Sequence, residues 1–181
     1  MGKWQLRFDP SQTKALLAAY ERDLIKRGKS EEEARVVQIG CRAREAGYFA
    51  FNDFLRACKW KSPRNQPRYS KNSPELVAEI TRIALACPSE TLRPEVLQRL
   101  HGVGFPVASF LLHIAHSSPY PILDKRALWS WGFDKPPTYN FQFWWDYVQQ
   151  CRKLAQSLKV DMRTLDRALW QYSKEHQKSL C

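Results

Sequence analysis

The sequence predicts an all-α fold, and three observations carry the prediction. Helix start and stop signals account for most of the 181 residues. Between them, apolar residues recur at three- and four-residue spacings, the period of a buried helical face. No run alternates β-branched and polar residues as a half-buried strand would. The length fits a single helical domain over 1–181, with room for two lobes around a cleft, and is sufficient for a real core.

The elements follow in order. Asp9-Pro10 opens the first helix, with Asp as N-cap and Pro in the first turn. Leu16, Leu17, Tyr20 and Leu24 form its apolar stripe, and Gly28 ends it. Ser30 and Glu33 are spaced as a capping box for a second helix that Gly47 closes, and its EEEAR charges read as a solvated face. Tyr48 to Cys58 reads as a third, more apolar helix. Ser73-Pro74-Glu75 starts another, with Val77, Ile80, Ile83 and Ala84 inward and Pro88 as its stop. Pro94 opens the helix that leads into a glycine turn. Further on, Lys125–Trp129 is a short helix. Gly132 and Pro136-Pro137 separate it from a long one over Phe141–Leu158, and Met162–Lys174 is a final helix with Leu165, Ala168, Leu169 and Tyr172 inward.

The stretch 97–112 is the most informative. Leu97 and Leu100 end one helix, His101-Gly102-Val103-Gly104 forms a hairpin, and Val107, Ala108, Phe110, Leu111 and Ile114 mark the buried face of the next. Gly102 and Gly104 permit backbone angles and close approaches that a Cβ would penalise. A helix that starts just after such a turn directs N–H groups and its positive dipole end outward, which suits a phosphate. Within 119–128, Pro119-Tyr120-Pro121-Ile122-Leu123-Asp124 is a stiff segment that delivers one carboxylate twenty residues after Gly104. Asp124 can be an N-cap, a functional carboxylate, or both at once.

Lys and Arg number 29 against 18 Asp and Glu, a formal net charge of +11. That excess favours a polyanion, and nucleic acid over membrane, since no basic amphipathic anchor stands out. No apolar run approaches the ~20 residues that span a bilayer. The N-terminus Met1-Gly2-Lys3-Trp4-Gln5-Leu6 has no signal-peptide core and does not fit a myristoylation site. Five cysteines, at 41, 58, 87, 151 and 181, are odd in number and far apart, which fits reduced thiols in a cytoplasmic compartment.

Lys59-Trp60-Lys61-Ser62-Pro63-Arg64-Asn65-Gln66-Pro67-Arg68-Tyr69-Ser70-Lys71 interleaves cations and aromatic rings with no acid. Read as a loop stiffened by its prolines, it can neutralise phosphates through Lys59, Lys61, Arg64 and Arg68 and stack Trp60 or Tyr69 on a base. It can equally be a solvated basic loop with Trp60 in the core. Between Trp129 and Tyr147 fall nine aromatic residues, most of them expected in the core. Trp129, Trp131 and Tyr139 lie nearest Asp124 in sequence and are candidates for a base pocket. His101 can touch a phosphate or simply sit at the surface. His113 and His116 are three apart on one helix, but no third ligand lies near them, so no side-chain metal site is expected.

Leu97, Leu100, Gly102, Val103, Gly104, Ala108, Leu112, Pro121 and Asp124 together resemble the signature of the helix-hairpin-helix DNA glycosylase superfamily. The likeness is specific over about 97–128 and only generally helical elsewhere. It implies a helix-hairpin-helix glycosylase-like fold, a monomer acting on double-stranded DNA that carries a damaged or modified base, and Asp124 as the catalytic carboxylate. It also implies phosphate contact by Gly102, Val103 and Gly104 and a wedge in the region Cys58–Arg64; Lys125, at the start of its helix, is read as facing phosphate. A bound sodium or potassium ion on hairpin carbonyls 102–104 belongs to the same likeness. The cysteines do not have the spacing of the iron–sulfur cluster found in some relatives, so no cluster and no other cofactor is expected. Members that also cleave the backbone carry a lysine two residues after the second glycine. Here that position is Pro106, so the expected activity is hydrolysis without a Schiff-base step. The alternatives are a DNA-binding protein that keeps the hairpin as a clamp without chemistry, and a helical adaptor whose basic face meets an acidic protein.

Overall fold

A computed structural model describes residues 4–177. Cys181 and the first residues of the signal and myristoylation motifs lie outside them. The described residues form helices joined by turns and irregular segments, without a strand. The elements are α1 (Thr13–Lys26), α2 (Ser30–Ala46), α3 (Phe51–Lys61), α4 (Gln66–Tyr69), α5 (Pro74–Ala86), α6 (Leu92–Leu97), α7 (Phe105–Ala115), α8 (Lys125–Ser130), α9 (Phe141–Leu158) and α10 (Met162–His176). The chain divides into two compact units. One is continuous, 31–120; the other joins the described parts of 1–30 and 121–181.

In the continuous unit, α7 is buried at eight of its 11 residues, including Ala108, Leu111 and Leu112 at 0% exposure. A helix apolar on nearly every face must be surrounded by others. α3 and α6 pack on it, and α2 comes close enough that a Cβ at Gly40 would lie 2.2 Å from the Ile114 carbonyl oxygen. At the same, C-terminal end of the helix, Arg44 of α2 donates from Nε to the Ala115 carbonyl at 3.1 Å, so a cation meets the negative end of the α7 dipole. Ser73 caps α5 by accepting from the Leu76 N–H.

In the discontinuous unit, α10 packs against α1, α8 and α9. The segment before α1 runs beside the end of α8, where the Arg7 N–H donates to the Ser130 carbonyl at 2.9 Å. Trp4 enters a nest of rings, 4.7 Å from Phe133 and 5.4 Å from Phe143 between centroids, and edge-on to Trp131. Gly132, at φ +88°, is required there, because a Cβ would come within 2.9 Å of the Gln5 carbonyl oxygen. Asp9 caps a 3-10 turn, Pro10–Gln12, that leads into α1. Asn140 and Asp161 cap α9 and α10 through their side chains.

Several expectations are corrected. The stretch 59–71 is not a loop. α3 runs on through Lys61, because Pro63 disfavours helix only from the residue before it. Pro63 and Pro67 occupy first-turn positions, where no N–H is missed, so a 3-10 turn and α4 follow. Glu33 is not on a solvated face but buried, 3% exposed. Ile83 points outward at 47% exposure: it sits about 120° around α5 from Val77, off the face that Val77, Thr81 and Ala84 define.

The contact between Gly40 and α7 generates a prediction. Gly40→Ala must push α2 off the Ile114 carbonyl and is expected to cost about 1–3 kcal/mol of stability, as overpacked cores do. Chemical denaturation reads it; an unchanged midpoint would show that α2 does not rest on the α7 backbone.

Candidate functional site

The hairpin is built by burial on one side and backbone accounting on the other. Leu97, Leu100 and Val103 are buried and anchor it, Val103 with its side chain turned into the core. The Val103 N–H donates to the Leu100 carbonyl at 3.1 Å, closing a tight turn. Gly102 has φ +84°, and a Cβ there would lie 2.8 Å from the ring of Tyr69 and 3.0 Å from the Cβ of Arg68. Both the backbone angle and the closeness of α4 therefore demand glycine. Gly104 differs: its φ is ordinary and a Cβ would meet nothing closer than 3.9 Å, so its role is to leave open space before α7.

Asn72, just beyond α4, holds the turn. Its Oδ1 accepts from the His101 N–H at 2.8 Å, while its Nδ2 donates to the carbonyls of His101 at 3.2 Å and Tyr69 at 2.8 Å. Asn72 is 3% exposed, and these three bonds account for its buried amide. The His101 backbone is thus used within the protein, and its ring is exposed.

Beside the hairpin lies a concavity of about 450 Å³ lined by Asn65, Arg68, Gln98, Arg99 and residues 100–104. Arg68 and Arg99 are exposed, and neither has a carboxylate partner among the described residues. Two unpaired guanidiniums beside glycine amides attract an anion, and the fork geometry of arginine suits a phosphate. The helix start contributes fewer amides than the sequence implies. Pro106 has no N–H, and that of Val107 donates to the Gly104 carbonyl at 3.0 Å.

Asp124 belongs to the other unit. It is half-buried and N-caps α8, accepting from the Arg126 N–H at 2.9 Å. The chain ahead of it is tied on both sides. The Ile122 N–H donates to Asp166 at 3.0 Å, and the Tyr147 hydroxyl donates to the Ile122 carbonyl at 3.1 Å. Tyr139 lies near Asp124. Burial raises its phenol pKa, and the Asp124 charge raises it further.

The remaining candidates separate. Lys125 is exposed at the start of α8, Lys59 and Arg64 are exposed, and Lys61 is half-buried at the end of α3. Tyr69 is fully buried against Phe54 and beneath Gly102, so it supports the hairpin rather than offering a stacking face. Trp60 stacks on Phe110 of the core at 5.1 Å. Trp131 is buried in the ring nest around Trp4, and Trp129 lies between Arg7, 4.4 Å above its ring, and Tyr172. Both pack. Nδ1 of His113 bonds the Tyr120 carbonyl and Nδ1 of His116 accepts from the Ser118 N–H. Among the described residues, no group of three or more His, Cys, Asp or Glu side chains is placed to hold a metal ion. No helix among them is long and apolar enough to cross a membrane.

Asn72 and Arg99 were not legible as site residues. Arg99 had a signal: Leu97 and Leu100 turn inward, so the residues between them face out. Asn72 had none, being 29 residues from its partner. Comparison with family models, curated proteins and solved structures finds no match to the chain.

The concavity makes a quantitative prediction for duplex DNA. Arg68→Gln and Arg99→Gln are each expected to make the plot of log affinity against log salt shallower by about 0.9, one phosphate. Titration across several salt concentrations reads it. Slopes equal to wild type in both variants would show that the concavity does not face phosphate.

Proposed function

We propose that this chain is a monofunctional DNA glycosylase. In this reading the hairpin and its arginines bind DNA phosphates, and Asp124 acts on the sugar of a damaged or modified base that has left the stack. The observation that carries the proposal is the hairpin concavity, in which glycine backbone and two unpaired arginines converge. Twenty residues on, the same chain delivers a carboxylate on a segment tied by Asp166 and Tyr147.

The chemistry follows from charge. Breaking the bond between C1′ and the base builds positive charge on the deoxyribose, and a nearby carboxylate stabilises it. Asp124 then orients water or takes its proton as the water adds to C1′; the base leaves with the bond electrons, and an abasic site remains. Pro106 supplies no amine, so no Schiff base forms from that position.

A second reading, a clamp without chemistry, has its own observation: the Asp124 carboxylate already serves as the α8 cap. One substitution separates the two. Asparagine caps as well as aspartate, so Asp124→Asn is expected to keep stability close to wild type, whereas Asp124→Ala loses about 1 kcal/mol. On duplexes carrying a panel of damaged and hypermodified bases, wild type is expected to release free base, detected by mass spectrometry, and Asp124→Asn to release none while still binding. Silence from both proteins on every duplex, with binding intact, favours the clamp. Borohydride should trap no covalent protein–DNA adduct; an adduct lost in Lys125→Ala would overturn the monofunctional assignment.

A further inference from the structure

We propose that Asn72 is the positioning residue of the hairpin, setting the backbone that meets phosphate without itself touching DNA. This rests on the phosphate-binding reading of the hairpin given above. A glycine turn that must present amides to an anion is intrinsically loose, because glycine has the most backbone freedom to lose. Preorganisation therefore has to come from outside the turn. Asn72 supplies it by engaging both backbone groups of His101, the residue before Gly102, and tying them to the Tyr69 carbonyl at the end of α4.

The arrangement has two further supports. The Tyr69 ring fills the space that a Cβ on Gly102 would occupy, so α4 contacts the turn from a second direction. Arg68, on the same short helix, lines the concavity. Through Asn72 the hairpin amides and the Arg68 guanidinium share one support and are held in register as a single phosphate site. An amide is well suited to the task, since it accepts from the N–H with one atom and donates to two carbonyls with the other. A carboxylate in its place would lack the donors and add a charge that repels the ligand.

Loss of a buried amide also destabilises the fold, so the test needs a matched control. Thr81 serves: it is equally buried in the same unit, accepts from the Phe49 N–H at 2.9 Å and donates to the Val77 carbonyl, away from the hairpin. Asn72→Ala, Asn72→Ser and Thr81→Val would be compared at a temperature where each is folded by circular dichroism. Serine is the milder change and keeps the test open if alanine unfolds the protein. Amide hydrogen exchange at 101–104 and duplex binding across a salt series would be measured for each.

The expected result is faster exchange at the hairpin and a salt slope shallower by about 0.9 in the Asn72 variants, with neither change in Thr81→Val. Wild-type slope and hairpin protection in a folded Asn72 variant would overturn the inference, as would equal changes in Thr81→Val. Failure of the wild-type protein to bind any duplex at low salt is a different outcome: it removes the phosphate reading and this inference together.

Discussion

Burial of α7 on nearly every face is the constraint from which the continuous unit follows. Backbone polar groups inside a helix satisfy one another, but those at its two ends do not. When the flanks are closed by neighbouring helices, all unsatisfied polarity is concentrated at the termini. At the C-terminal end Arg44 takes up the carbonyls. At the N-terminal end the chain turns back through the glycine hairpin, where the Val107 and Ala108 N–H groups both donate to the Gly104 carbonyl. A buried helix and a polar turn are two consequences of one packing decision.

The discontinuous unit solves a related problem with a different device. Pro121, Ile122 and Leu123 are buried without regular secondary structure, so their peptide groups cannot find partners in a helix or sheet. Side chains do the work instead: Asp166 accepts the Ile122 N–H and Tyr147 donates to its carbonyl. Tyr147 can serve only while protonated, and full burial raises its pKa well above the ordinary phenol value. The segment is accordingly stiff, and the residue that ends it, Asp124, is set by α9 and α10 through Ile122 as well as by its own cap bond to α8.

The sequence shows the helices clearly because their signals are local. α9 spans Phe141–Leu158, the range its sequence marks, and α7 follows its apolar period. What it conceals is pairwise and distant. The Asn72–His101 clamp, the contact of Gly40 with Ile114 and the insertion of Trp4 among Trp131, Phe133 and Phe143 each join residues far apart in the chain. None leaves a periodic trace. The basic stretch 59–71 misled for a different reason. Proline counts against a helix only in its interior, and here both prolines fall in first turns. At the site, Gly102, Arg68 and Asp124 were visible as residue types in a pattern, whereas the packing roles of Tyr69, Trp129 and Trp131 depended on which face each ring turned inward.

The two roles of Asp124 need not compete. A carboxylate offers about four lone-pair positions over two oxygens, and the α8 cap uses one of them. The cap also acts on position. By accepting from the Arg126 N–H, the carboxylate is held at the start of α8. A carboxylate left uncapped would be more mobile. On the proposed glycosylase reading, the bond that caps the helix is also the one that fixes the catalytic group.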